Sequence, residues 1–187
     1  ENTMNMFSNC QKLSQVTLPT NIQSLGAGMF KNTSIETLYL PTTVNTIGAE
    51  SLKDCTKLKY VNISSTNPVN LSLNIFDNTP NLELLSIHGD LGFPTMDEDM
   101  FGGKKLCYYG TTNPVVAKNA LDPSVTTIYV TKEFKEKYST FGDPLNLPVD
   151  PVTGFPYEVM QGSVCAFPGE PGLPNETETM SFSEEMS

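Results

Sequence analysis

The strongest constraint on this chain is a motif that returns several times at a short and nearly constant interval. The segments MFSNCQKLSQVTLPTNIQSLGAG, from Met6, and MFKNTSIETLYLPTTVNTIGAE, from Met29, align column by column. Further units follow from Ser51, Ile75 and Met100. Their bulky anchors are Phe7, Phe30, Leu52, Phe76 and Phe101. Every step between them falls within the roughly 20–29-residue period of one class of solenoid repeat. A unit this short cannot bury its own apolar face. It must stack on its neighbours, which makes the chain a solenoid.

Each column carries a physical meaning. Leu13, Val16 and Leu18 are matched by Ile35, Leu38 and Leu40, then Leu58, Val61 and Ile63, then Leu82, Leu85 and Ile87. The last two positions of each set alternate with other residues, as in a strand with one buried face. Pro19 and Pro41 lack the N–H a ladder needs and end the first two strands. The pairs Ile22/Leu25 and Val44/Ile47 predict a second, flanking layer of short strands. Gly26 and Gly48 predict tight corners. Ala27–Phe30 and Ala49–Leu52 each read as one short helical turn that carries the anchor into the core. Two residues beyond each anchor stand Asn9, Asn32, Asp54 and Asn78, types that tolerate a left-handed backbone. The next column, Cys10, Thr33, Cys55 and Thr79, calls for something small and buried.

The composite F-x-N-C-x-x-L-x-x-V-x-L-P-x-x-I-x-x-L/I-G-x-x-x-F resembles the BspA-like, or Treponema-type, leucine-rich repeat. The match is strongest over residues 6–63 and looser over 64–101. It departs from the common leucine-rich repeat, because Pro19 and Pro41 stand where an Asn ladder would lie. Residues 113–140 resemble the closing unit of bacterial members. There Ala120 and Leu121 replace Ala-Phe, and Tyr129-Val130-Thr131 replaces Tyr-Val-Pro. Val125, Ile128 and Val130 form its strand, and Lys132 to Tyr138 its capping helix. The expected fold class is therefore α/β: a leucine-rich-repeat solenoid, a right-handed β-α superhelix with short helical turns and a parallel strand ladder. The expected domains are 1–142, the repeats with their cap at 113–140, and 143–187, an irregular extension. The resemblance implies a secreted or surface-exposed protein, often bacterial, that works in adhesion and protein contact.

Residues 143–187 have a different texture. They hold seven of the fourteen prolines, eight acidic residues and no basic one. Pro148–Pro151 and Pro168–Pro171 have P-x-x-P spacing, which an extended linker explains more simply than a proline-reading partner. Phe155, Tyr157, Val159, Val164 and Phe167 are too apolar for a pure linker and are expected to pack as short extended pieces against the cap. The stretch 175–187 reads as an exposed acidic end. Position 1 is Glu, so the sequence reads as a processed or truncated piece of a longer chain.

The net charge is −10, and the chain has no Arg. Nucleic-acid binding rests on a basic footprint, so no nucleic-acid partner is expected. No apolar run reaches the roughly 18 residues of a membrane helix, so no transmembrane segment is expected. Cys10, Cys55, Cys107 and Cys165 contain no C-x-x-C pair, and no zinc site is expected. Four cysteines are also too sparse for a disulfide scaffold. Cys10 and Cys55 lie two coils apart, about 10 Å at the spacing of stacked strands. That exceeds the roughly 7 Å limit of a disulfide, so both are expected to be free thiols.

Candidate chemistry is sparse. His88 is the only His, and a surface-turn role explains it without partners. Asp97-Glu98-Asp99 is a dense acidic run, better read as a solvated loop than as a weak calcium site. The sequons at Asn32, Asn62, Asn70 and Asn175 are not taken as evidence for glycans. G-x-S-x-G and G-x-x-x-x-G-K-[ST] are absent. No enzyme activity, metal or cofactor is expected.

The remaining candidate is the outward side of the strand ladder. One column reads Gln15, Thr37, Tyr60, Leu84 and Thr127. The other reads Thr17, Tyr39, Asn62, Ser86 and Tyr129. Tyr39, Tyr60, Asn62, Thr37 and Tyr129 are the candidate ligand-binding residues, since Tyr offers large contact area at low entropy cost. Tyr and Thr also simply favour strands, and both readings stand at this point. The expected function is a non-catalytic surface or secreted module, binding a protein or glycan on a host or neighbouring cell, and monomeric. A structural spacer or stalk in a larger surface protein is the alternative.

Overall fold

A computed structural model describes residues 3–91, 104–112, 127–138 and 157–168. Its elements are β1 (Ser24–Leu25), β2 (Thr37–Leu40), β3 (Thr46–Ile47), β4 (Tyr60–Ser64), β5 (Asn70–Leu71), β6 (Leu84–His88), β7 (Lys105–Tyr108), β8 (Thr127–Val130), α1 (Lys132–Tyr138) and β9 (Tyr157–Val159). Two parallel sheets face each other across a shared core. The long sheet runs β2-β4-β6-β7-β8-β9, and the short one β1-β3-β5. The register stacks equivalent columns: Leu38 on Val61 on Leu85 on Leu106 on Ile128, and Leu40 on Ile63 on Ile87 on Tyr108 on Val130. These inward columns and the anchors Phe30, Leu52 and Phe76 belong to one continuous buried cluster. The flanking strands expected from Ile22/Leu25 and Val44/Ile47 are β1 and β3.

The structure corrects the helical turns. The third side of each coil is a hydrogen-bonded turn ladder, and α1 is the only helix among the described residues. Backbone conformation gives the reason. Two columns of residues are left-handed: Asn9, Asn32, Asp54 and Asn78, with φ from 54° to 64°, and Asn5, Gly28, Glu50 and Asn74, with φ from 53° to 61°. A left-handed residue every four positions stops an α-helix before it can propagate. The turns bond across coils instead: Phe7 N–H to Met29 O, Phe30 N–H to Ser51 O and Asn32 N–H to Lys53 O, each at 2.9 Å. The fold is therefore a parallel β-solenoid with little helix.

The asparagine column also forms side-chain rungs. Asn32 Nδ2 donates to Asn9 Oδ1, and Asn78 Nδ2 donates to Asp54 Oδ1, each at 2.9 Å. Lys31 meets Glu50 at 2.6 Å and Lys53 meets Asp77 at 2.7 Å on the same side. In the small column, Thr33 and Cys55 are buried, whereas Cys10 is exposed in the first coil. Cys10 and Cys55 are both free, and burial pushes the Cys55 thiol pKa up. Gly48 serves close approach, not an unusual φ: a Cβ there would sit 2.5 Å from Ala27 N in the preceding coil.

The two ends of the ladder differ. At the first coil, residues 13–18 form no ladder strand, and Phe7, Leu13 and Val16 remain only partly buried. At the other end, Thr131 Oγ1 accepts a hydrogen bond from Phe134 N–H at 3.2 Å and caps α1. Glu133 in its first turn and Lys135 and Lys137 in its last complement the helix dipole. Phe134 is buried and meets Tyr108 edge-on at 5.6 Å. The ladder does not stop at β8. β9, from the stretch expected to be irregular, pairs in parallel with β8. Phe101, Asp97-Glu98-Asp99, Ala120, Leu121, Val125, Phe155, the Pro148–Pro151 spacing and Asn175 lie outside the described residues.

Candidate binding face on the strand ladder

Between the buried columns, the outward side chains of the long sheet also stack. The register aligns Thr37, Tyr60, Leu84, Lys105 and Thr127 in one column. It aligns Tyr39, Asn62, Ser86, Cys107, Tyr129 and Glu158 in the other. The expected columns are thus in register from β2 onward, and β7 inserts Lys105 and Cys107 into them. Gln15 and Thr17 lie in the first coil, outside the ladder. Parallel pairing puts Tyr39 directly beside Asn62 and Thr37 directly beside Tyr60, so the two Tyr side chains are diagonal neighbours.

The face is not uniformly open. Tyr39 is 49% exposed, whereas Leu84 is 4% and Ser86 and Cys107 are 0% exposed. The cover is the strap formed by residues 160–168, which follows β9 and crosses back over the outward side. Cys165 in this strap is disulfide-bonded to Cys107 of β7, with Cα atoms 6.0 Å apart. Phe167 lies between Tyr39, at 5.2 Å, and Tyr60, at 6.2 Å between ring centres. Met160, Cys165 and Phe167 are buried with Leu84 and Cys107 in a second small core, against which Tyr60, Tyr109, Tyr129 and Val164 pack. Burial and the nearby Glu158 carboxylate raise the Tyr129 pKa.

Two outward positions announced this cover in the sequence. Leu84 and Cys107 are apolar or thiol residues where a solvated strand face would carry polar ones. The tail supplies matching apolar groups at Met160, Val164 and Phe167. Four cysteines make no disulfide scaffold, yet Cys107 and Cys165 form one bond. Sequence spacing could not reveal it, because 58 residues separate the partners.

Of the five candidate residues, the structure brings Thr37, Tyr39, Tyr60 and Asn62 together on β2 and β4, with Tyr129 apart from them on β8, packed against the strap core. Tyr60 Oη donates to Glu83 Oε2 at 3.3 Å. The Asn62 side-chain oxygen is buried without a hydrogen-bond partner among the described residues. Beside them an open cleft of about 500 Å³ runs between strap and sheet, lined by Tyr60, Glu83, Leu84, Lys105, Val164 and Phe167, among others.

His88 closes β6 rather than lying in a turn beyond it. Its Nε2 is 3.1 Å from Ser86 Oγ, and its ring stacks on Tyr109 at 4.0 Å. Ser86 is fully buried, so this Ser–His contact is part of the packing under the strap. Asp90 is engaged elsewhere. Its Oδ1 accepts from Thr111 N–H at 2.7 Å and Thr112 N–H at 3.0 Å. Burial opposes ionisation of Asp90, but these N–H groups and the Thr111 and Thr112 hydroxyls outweigh it and lower the pKa. Among the described residues, no group of three or more His, Cys, Asp or Glu could hold a metal. No helix among them is long and apolar enough to cross a membrane.

Stacked coils of this period, with a parallel ladder on one side and bonded turns on another, define a leucine-rich-repeat solenoid. The model of the BspA type leucine-rich repeat region matches residues 3–107 in six copies, more than half of the chain. The chain belongs to that family, whose repeats point to a protein-interaction module. Among solved structures it is similar to a leucine-rich repeat protein from Bacteroides ovatus, at 22% identity and a TM-score of 0.40. The match covers 67% of this chain and 38% of that one. A search of curated proteins returns no match.

Proposed function

We propose that this chain is a non-catalytic binding module, secreted or displayed on a cell surface, whose outward strand face takes a protein or glycan ligand, as in adhesion to a host. The observation that carries the reading is the rigid group of Thr37, Tyr39, Tyr60 and Asn62 on adjacent strands. Tyr39 is half exposed there, while Leu84, Ser86 and Cys107 farther along the face are buried. Aromatic rings held by a stacked backbone lose little entropy on binding. The Cys107–Cys165 bond supports the extracellular part of the reading, because structural disulfides persist in oxidising compartments.

The test is capture of purified extracellular-matrix proteins and a glycan array by the full chain, beside Tyr39→Ala/Tyr60→Ala and Thr37→Lys variants. Thr37→Lys leaves both rings and the strap in place. Capture by the parent chain with a loss of tenfold or more in both variants supports the face. Equal capture by all three removes it.

A second reading, a spacer within a longer repeat array, draws on the first coil. Met4 and Met6 are 58% and 52% exposed, and a hollow beside Met6 is lined by Phe7, Val16, Leu18, Ile22 and Met29 together with Thr3, Asn21 and Gln23. Such a surface suits the stacking of a further coil.

A further inference from the structure

The strap is more than a connection. It lies on the outward strand face in the manner of a bound segment. Phe167 fills the place between Tyr39 and Tyr60, and Met160 and Val164 pack into the same small core as Leu84. Its neighbouring residues leave an open cleft against Tyr60, Glu83 and Lys105. The backbone bonds within it are local, Val164 N–H to Gln161 O and Ala166 N–H to Ser163 O. Its links to the ladder include apolar packing, the Met160 N–H to Val130 O bond at 2.9 Å and one covalent bond, Cys107–Cys165. Few apolar side chains are available to offset the conformational entropy of ordering these residues, whereas a cross-link removes much of that entropy from the detached state.

We propose that residues 160–168 are a disulfide-latched cover occupying the ligand's place on the strand face, and that opening the latch exposes a docking strip for a short, turn-forming protein segment bearing an aromatic side chain. The occupant's chemistry is taken from the strap. An aromatic ring sits over Tyr39 and Tyr60, and a small apolar residue sits three positions before it, over Leu84. The latch opens by thiol–disulfide exchange with a dithiol reductant. One reductant thiolate attacks a protein sulfur, and its second thiol displaces the mixed disulfide. The products are two protein thiols and the oxidised cyclic reductant. Both protein sulfurs belong to buried residues, with Cys107 0% and Cys165 5% exposed, so exchange is slow unless the strap breathes. The proposal rests on the reading of this face as the binding surface, but its test does not use the external ligand.

The probe is a fluorescent synthetic peptide with the sequence of residues 160–168, carrying Ser in place of Cys165. It is titrated into the oxidised full chain, the full chain reduced by dithiothreitol, and a Cys107→Ser/Cys165→Ser variant. Hydrogen exchange of the β4 and β6 amides verifies that the ladder stays folded in each. The expected result is saturable binding to the reduced chain and the double variant, at least tenfold tighter than to the oxidised chain. A peptide with Ala in place of Phe167 should bind at least tenfold more weakly. A second variant, Phe167→Ala with the disulfide intact, should increase acrylamide quenching of tyrosine fluorescence without loss of ladder protection. Equal peptide binding to oxidised and reduced chains overturns the latch. So does a folded double variant that excludes the peptide, because the strap then holds without its bond. Failure of matrix capture by both the oxidised and the reduced chain, with success here, removes the proposed ligand and leaves the cover intact.

Discussion

Phe30→Ala is the sharpest test of how the coils hold together. Phe30 is fully buried and stacks on Phe7 with ring centres 5.5 Å apart and planes within 5°. Truncating a buried Phe costs about 3–5 kcal/mol, the sum of lost transfer energy and the cavity left behind. Phe7 is only partly buried at the end of the stack, so it can move and refill part of the space. That places the expected loss near the lower end, about 3 kcal/mol. At a urea slope of ~2 kcal/mol/M the midpoint falls by roughly 1.5 M. Phe7→Ala, which starts from a partly exposed ring, should cost only about 1 kcal/mol. Urea unfolding followed by circular dichroism gives both numbers. Equal losses for the two variants would refute the role assigned to the anchor column. So would a Phe30→Ala change below about 0.5 kcal/mol, the size of an ordinary surface substitution.

Two further outcomes follow from local geometry. Asn32 has φ 56° and donates to Asn9, so Asn32→Ala should cost about 1–2 kcal/mol for the left-handed backbone alone. Asn32→Gly should cost clearly less in the same urea titration, and an opposite order would contradict the turn ladder. Asp90 has a pKa below its ordinary value of 3.8 in the folded chain. A carboxylate with a depressed folded pKa stabilises the fold above its unfolded pKa and loses that stabilisation as pH falls through the folded value. The stability gap between the parent chain and Asp90→Asn should therefore be constant from pH 7 to 5 and shrink below about pH 3.8, and a gap unchanged at pH 2.5 would exclude the Thr111/Thr112 clamp.

Much of the solenoid is legible in the sequence because its signals repeat. Leu38, Val61 and Leu85 point inward in every coil, so the register follows from the period. The left-handed Asn column is legible for the same reason. Its partner column is not, because Asn5, Gly28, Glu50 and Asn74 share a backbone conformation but no side-chain type. That hidden column is also why Ala27–Phe30 reads as helical and folds as a bonded turn. The candidate face is legible as two columns, but its exposure is not. Leu84 and Ser86 look outward in the pattern and are buried by a segment from the far end of the chain. Nothing in the period of the coils reports on the strap, since it is not a coil. Its marks are single residues: Leu84 and Cys107 on the outward side, and Val164, Cys165 and Phe167 among the apolar residues of the tail.

A disulfide map of the chain isolated without reductant tests directly whether the strap is fixed across the outward face of the ladder. Non-reducing digestion and mass spectrometry should recover Cys107 and Cys165 in one cross-linked peptide. Cys10 should be alkylated in native buffer and Cys55 only after unfolding. A cross-link involving Cys10 or Cys55, or Cys107 and Cys165 recovered as free thiols, would contradict the account.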